Sequence, residues 1–184
     1  MIFDKSITPR QQGIYNTLHR LWTEHVMWTR SFIISKAFDL GDLDDVTKRL
    51  LQNPKDFAKV LKPIYGDRIA KKFEELLTEH LMIGAQLVNA AKAGDSKEAE
   101  KAREKWYANA DEIALFLDNL NPYWNYNTWK NLLYDHLKMT EDEAAQILTK
   151  QYEESIYQYD KIQEEALKMA DVMANGIIKQ HHIQ

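Results

Sequence analysis

The sequence predicts an all-α protein, a four-helix-type up-down bundle with a long C-terminal helix and short helices in the first connection. Glycine and proline, which interrupt helices, number only 6 and 4 among 184 residues. Apolar residues recur every three or four positions over long stretches, as on one face of a helix. The chain is long enough for one buried core and short for two, so we expect a single domain over residues 1–184. Its ends, residues 1–8 and 179–184, are expected to fray.

The first long helix is predicted from about Pro9 to Phe38, because Thr8 is a suitable N-cap and proline suits the first turn. The segment "DLGDLDD" then interrupts the apolar rhythm. Two short helices, Asp44 to Leu51 and Pro54 to Leu61, follow in the first connection, with Asn53 as the cap of the second.

Four further helices are predicted before and after the turn "NPYW". The apolar rhythm restarts at Ile69 and ends at "AGD", and Ser96 caps the next long helix, which ends at Leu120. A short helix begins at about Thr128. Thr140, with Glu143 placed for a capping box, then predicts the start of the long C-terminal helix.

Composition excludes several classes of function. A net charge of -4 and a pI near 5.9 give no reason to expect nucleic acid or an anionic membrane as a partner. The absence of cysteine excludes disulfides, thiolate metal sites and a cysteine nucleophile. The sequence has no apolar run of about 18 residues and no secretory signal in "MIFDKSITPR", so we expect a soluble, cytoplasmic protein. Association into a homo-oligomer through helix faces is left open.

The motif Thr-Glu-His-x-Met occurs twice, in "LWTEHVMW" (Leu21–Trp28) and in "LLTEHLMI" (Leu76–Ile83). His25 and His80 each lie at the centre of an apolar helix face. A polar side chain that faces a bundle core has to find a hydrogen bond or a metal, or it costs about 1–3 kcal/mol. The repeat is compatible with a duplicated helical hairpin and equally with coincidence.

Other helices carry polar groups at comparable positions. His136 interrupts the apolar face of the short helix, Asn109 interrupts that of the preceding long helix, and Glu112 follows on the same side as Asn109. Groups of this kind satisfy one another only if they converge. In ferritin-like bundles, inward-facing histidines and carboxylates converge by binding iron, manganese or zinc.

We therefore predict a divalent transition-metal site, for zinc, iron or manganese, built from five side chains: His25, His80, His136, Asn109 and Glu112. Neutral imidazole suits such metals. A neighbouring carboxylate such as Glu24, Glu79 or Asp135 is suited to orient a ring through its other nitrogen. The Glu-x-x-His pairs of di-iron bundles and the His-Glu-x-x-His motif are missing, which favours a mononuclear site.

Two alternatives use the same residues differently. In the first, the histidines hydrogen-bond within the core of a non-catalytic interaction module, and the aromatic turn "NPYWNYNTW" contacts a partner. In the second, they line a small-molecule pocket without metal. The sequence has no glycine-rich phosphate loop, nucleophile elbow or dinucleotide fingerprint, so no reaction is predicted.

Two segments carry a resemblance, "LWTEHVMWTRSFIISKAFDLGDLDDVTKRLLQNPKDFAKVLKPIYGD" and "WYANADEIALFLDNLNPYW". They resemble a group of small helical proteins from spore-forming and related bacteria, some of which carry an acetylglutamate kinase label. The resemblance covers most of the chain and implies a bacterial setting. The label conflicts with the sequence, because the amino-acid kinase fold is a large α/β sandwich that needs more residues and glycine-rich loops.

Overall fold

The computed structural model describes residues 7–184. Seven α-helices account for nearly all of this part of the chain: α1 (Pro9–Ala37), α2 (Leu43–Leu50), α3 (Asn53–Tyr65), α4 (Asp67–Ala93), α5 (Ser96–Leu120), α6 (Tyr126–Leu148) and α7 (Tyr152–Gln180). The predicted all-α class is confirmed. Short turns join consecutive long helices that pack against one another, as an up-down bundle requires.

The start of α1 follows the prediction. The Gln11 amide nitrogen donates to Thr8 Oγ1 at 3.3 Å, and the Thr8 amide nitrogen donates to Gln11 Oε1 at 3.1 Å. This reciprocal capping box satisfies two amide groups that the first turn leaves unpaired. The expected fraying of residues 1–8 falls mostly on residues 1–6, which lie outside the described residues. At the other end of the chain, Gln11 Nε2 donates to Ile183 O at 2.8 Å, which ties the C-terminal segment to α1.

Asn53 was predicted to cap the second short helix, and this prediction is wrong. Asn53 is the first residue of α3, is fully buried, and makes its side-chain hydrogen bonds to α1. Gln52 occupies the N-cap position without a side-chain capping bond. The helix was predicted to end at Leu61, but it continues to Tyr65.

The predicted start of the C-terminal helix at Thr140 is also wrong. Helix α6 continues through Thr140, whose hydroxyl donates to His136 O at 2.8 Å, within the helix. Glu143 does not close a capping box, because its carboxylate accepts a hydrogen bond from Arg30 of α1. The bundle therefore has five long helices where four were expected. The chain turns at Lys150, which adopts a left-handed φ of 63° between α6 and α7.

The six helices other than α2 form a closed ring of packed neighbours, in which α3 to α7 follow chain order and α7 packs against α1. An aromatic layer fills one part of the interior and consists of five buried side chains: Trp22, Phe57, Phe73, Trp124 and Trp129. A second apolar cluster, which includes Phe32, Leu50, Leu81 and Ala144, is formed by α1, α2, α4 and α6. Within residues 7–184, no helix combines the length and apolar character that crossing a bilayer requires.

Candidate metal centre

Three histidines from three helices meet inside the bundle. His25 of α1, His80 of α4 and His136 of α6 are only 1%, 2% and 2% exposed. Their ring centroids are 5.6 to 6.5 Å apart, and one ring nitrogen of each lies within 4.8 Å of one from each of the others. We call these residues the histidine triad. It lies next to the aromatic layer, because the rings of Trp22 and His25 are 5.6 Å apart.

A buried asparagine from α3 orients His25. Asn53 Nδ2 donates to Leu21 O at 2.9 Å, which turns the amide oxygen of Asn53 toward the ring. That oxygen lies 3.1 Å from His25 Nδ1. An amide oxygen only accepts, so Nδ1 carries the proton and the lone pair of His25 is at Nε2.

The same arrangement recurs at His80. Asn109 Nδ2 donates to Leu76 O at 3.2 Å, and Asn109 Oδ1 accepts from His80 Nδ1 at 2.9 Å. The asparagine follows its histidine by 28 residues in the first case and by 29 in the second. In both cases the asparagine also binds the carbonyl oxygen four residues before the histidine. The two Thr-Glu-His segments therefore carry one repeated three-residue arrangement.

A third hairpin repeats the spacing with a different partner. Glu165 of α7 follows His136 by 29 residues, and its Oε2 lies 3.5 Å from His136 Nδ1, which is longer than a good hydrogen bond. Glu165 is 5% exposed, and neither of its carboxyl oxygens has a hydrogen-bond partner among residues 7–184. The triad therefore has two amide partners and one carboxyl partner, and the carboxyl group is the one left without a donor.

Burial keeps the rings of His25 and His80 neutral. Desolvation, and then the proximity of His136, lowers the pKa of His80 to about 3, against the hydrogen bond that His80 donates to Asn109. Desolvation is also the largest cause that holds the pKa of His25 well below 6.5, and His136 and His80 lower it further. A neutral imidazole has one lone pair free for a metal, so these rings are in the protonation state that ligation needs.

The predicted carboxylate ligands and orienting groups lie elsewhere. Glu112, Glu79 and Asp135 are exposed to solvent. Glu24 accepts from Arg20 at 2.8 Å and from Arg49 at 3.1 Å. Acidic residues adjacent to a buried histidine in sequence point away from it because successive helical residues are about 100° apart.

Sequence reasoning missed Glu165 and misassigned Asn53 and Glu143. Glu165 follows Ile162 by three residues and precedes Met169 by four, which is the spacing of one apolar face and was a usable signal. Glu143, buried near His136, pairs with Arg30, although burial raises its pKa more than that pairing lowers it. No local pattern in the sequence indicates that pair.

A cavity of about 130 Å³ extends from the triad. Its walls are largely apolar and include six side chains from α1, α2, α4 and α5: Phe32, Ile33, Leu50, Leu81, Val88 and Trp106. Arg103 and Glu141, together with the exposed Ala91 and Ala145, also line it, so that it reaches the surface there. The cavity thus connects the triad with the surface.

The donor set fits a metal with an open coordination position. Catalytic zinc sites use three protein ligands, among them sets of three histidines, and leave a fourth position to water or substrate. Tetrahedral coordination with Zn–N bonds of about 2.1 Å places the nitrogens roughly 3.4 Å apart. Because the triad nitrogens already lie within 4.8 Å, small ring movements complete such a set.

Comparison with known proteins does not identify the chain: no family model, no curated protein and no solved structure matches it. The resemblance to small bacterial helical proteins stays a prediction. The all-α architecture does conflict with the α/β sandwich that an acetylglutamate kinase label implies.

Proposed function

We propose that this protein binds one divalent transition-metal ion through the Nε2 atoms of His25, His80 and His136. The observation that carries the proposal is the pair of asparagines that hold Nδ1 of two rings as donors. No side-chain hydrogen bond within residues 7–184 engages Nε2 of those rings. Three imidazoles thus meet at the base of one cavity, where one cation would bind all three.

Zinc and iron suit this site better than manganese. Imidazole ligands favour zinc, iron, copper and nickel, whereas manganese prefers carboxylate, carbonyl and water oxygens. Zn²⁺ also binds a given nitrogen site more tightly than Fe²⁺ or Mn²⁺ does. We therefore propose zinc as the metal for in vitro reconstitution and iron as the alternative.

Glu165 supports the proposal because its buried carboxyl oxygens have no hydrogen-bond partner among the described residues. A buried carboxylate without a donor is costly, and a divalent ion bound to the adjacent His136 supplies the compensating positive charge. A carboxylate behind a ligating histidine also fixes the ring and makes its other nitrogen more basic. Glu165 is thus a positioning residue for His136 and not a ligand.

The cavity favours an open, reactive metal over a structural one. A structural zinc site closes its coordination with four protein ligands, whereas three histidines beside a cavity leave a position free. A metal in this position acts as a Lewis acid or binds a small molecule directly. Which of these two roles the metal has depends on the molecule that enters the cavity.

The test is metal analysis of the full chain purified without a histidine tag, before and after incubation with Zn(II), Fe(II) or Mn(II). We expect one ion per chain. Each of His25→Gln, His80→Gln and His136→Gln should lose most of the bound metal, and the triple variant should lose little more, because the three residues form one site. His19→Gln is the matched control, since His19 lies on α1 but is more exposed and pairs with Asp171.

A parent protein that stays metal-free after all three incubations would contradict the proposal. The histidines would then be structural, as in the interaction-module alternative. In that case each glutamine variant should change the free energy of unfolding by an amount set by its local hydrogen bond. Thermal unfolding of the same variants measures that change.

A further inference from the structure

The cavity beside the triad is small and confined. Its volume of about 130 Å³ is below the ~300–1,000 Å³ of pockets for drug-sized ligands. It is close to an engineered apolar cavity of ~150 Å³ that binds benzene. A molecule of about six to eight non-hydrogen atoms therefore fills it.

The walls have few free polar groups. The hydroxyl groups of Thr29 and Thr140 both line the cavity, but they donate at 2.8 Å to the carbonyl oxygens of His25 and His136, four residues earlier. Phe32, Leu81 and Val88 contribute only hydrocarbon. The polar end of the cavity is thus the triad, and the body of a ligand contacts apolar atoms.

Among residues 7–184, the mouth has no free cation for an anionic ligand. Arg103 Nε donates to Glu141 Oε2 at 2.9 Å, and its guanidinium also pairs with Glu100. Two carboxylates share this one arginine, so the mouth favours a neutral molecule over a carboxylate or phosphate.

We infer that the cavity binds a small neutral aromatic or alicyclic alcohol, with its hydroxyl oxygen on the open position of the metal and its ring against the apolar walls. This inference rests on the proposed metal site for the hydroxyl end and on the cavity for the ring. The ring supplies the hydrophobic contribution to binding, and the single oxygen sets the orientation.

Phenol is the probe, because it joins a benzene-sized body to one hydroxyl group. Calorimetric titration of the zinc-loaded full chain should show one phenol per chain, with benzene and 2-naphthol each binding weaker by about tenfold or more. Benzene lacks the oxygen, and 2-naphthol exceeds the cavity. In the cobalt-substituted protein, phenol should change the visible absorption of the metal, whereas benzene should not.

Two substitutions on α4 separate the cavity from the rest of the helix. Ala85 lines the cavity, so Ala85→Leu should weaken phenol binding by about tenfold or more while one zinc ion stays bound. Ala90→Leu is the matched control on the same helix, outside the cavity lining, and should bind phenol like the parent. If Ala85→Leu does not fold, Val88→Leu adds a smaller volume to the same wall and should weaken phenol in the same direction.

The outcomes distinguish this inference from the proposed function. A chain that holds zinc but binds phenol no more tightly than benzene refutes the alcohol ligand alone. Equal phenol affinity in Ala85→Leu and Ala90→Leu also refutes it. A chain that takes up no divalent metal refutes the proposed function, and the ligand inference fails with it because the hydroxyl group then has no metal to bind.

Discussion

At the aromatic end of the core, Trp124 packs so closely on α7 that a Cβ atom added to Gly176 would lie 1.9 Å from the indole nitrogen. Beside the triad, the same bundle leaves about 130 Å³ open. A cavity of that size in an engineered core costs about 3 kcal/mol at roughly 24 cal/mol per Å³. The two regions are lined by similar apolar side chains. Close packing around Trp124 contributes stability, whereas the open space beside the triad leaves room for a ligand.

The largest expected effect comes from adding a methyl group at Gly176, where Trp124 packs against α7. Gly176→Ala should lower the free energy of unfolding by about 3 kcal/mol, because the new methyl group overlaps the rigid indole of Trp124. Chemical denaturation with urea measures the change. The control is Gly13→Ala in α1, where nothing lies within 4 Å of the added Cβ atom. It should raise stability by about 0.5–1 kcal/mol, and a loss at Gly13 as large as at Gly176 would remove the steric explanation.

The second effect is a dependence of stability on pH that originates at the triad. In the metal-free protein, the folded-state pKa of His80 is about 3 and that of His25 is well below 6.5. Below pH 6.5 the unfolded chain therefore takes up protons that the folded chain does not. The free energy of unfolding should fall as pH decreases from about 6.5 toward 3, by up to ~1.4 kcal/mol per pH unit for each such histidine.

Denaturation midpoints at pH 7, 6 and 5 test this pH dependence. The two histidines together predict a loss of about 2 kcal/mol between pH 6 and 5. The double variant His25→Gln, His80→Gln should have a flatter profile than the parent. A parent whose stability does not change over this interval would show that these rings are not buried and neutral in solution.

The third effect separates metal affinity from stability at Glu165. Glu165→Gln should weaken zinc binding by about tenfold, because the positioning carboxylate of His136 is lost. The metal-free protein should unfold at equal or higher denaturant concentration, because the variant no longer buries a carboxyl group without a donor. Zinc titration against a competing chelator, together with urea unfolding, measures both. Glu164→Gln changes the exposed neighbour and should alter neither quantity; an unchanged zinc affinity in Glu165→Gln would mean that the carboxylate has no positioning role.

The smallest effect tests whether the region beside the cavity tolerates an added methyl group that the region around Trp124 does not. Gly84 lies four residues after His80 and lines the cavity, and an added Cβ atom would lie 3.0 Å from Trp106. The indole of Trp106 borders open space, so it can shift slightly. Gly84→Ala should therefore change the free energy of unfolding by less than about 1 kcal/mol, as the gain in helix propensity offsets the close contact. Destabilisation as large as that of Gly176→Ala would mean that the two ends are equally rigid.

The sequence predicts well those features that depend on residues near one another in the chain. Helix class and most helix starts follow from local patterns, such as the three-to-four spacing of apolar residues and the capping box at Thr8. The buried positions of His25, His80 and His136 follow from the same spacing.

The wrong predictions concern side chains that hydrogen-bond to a helix distant in the sequence. The Thr140 and Glu143 pair satisfies the local rule for a capping box, but Glu143 binds Arg30, which is 113 residues away. Asn53 has the local preference of a cap and uses its amide on α1. The partner of His136 was overlooked because a charged residue on a helix is ordinarily exposed. Only the tertiary structure reveals the assignment of these polar groups.

Each triad histidine and its orienting partner come from different helices, so that six helices supply the six side chains. Each hairpin supplies one triad imidazole, so an opening that separates any two hairpins dismantles the site. By linkage, an ion bound here adds its binding free energy to the free energy that every such opening costs. Amide hydrogen exchange should therefore slow together in all three hairpins upon loading, which makes metal uptake a measure of complete assembly of the chain.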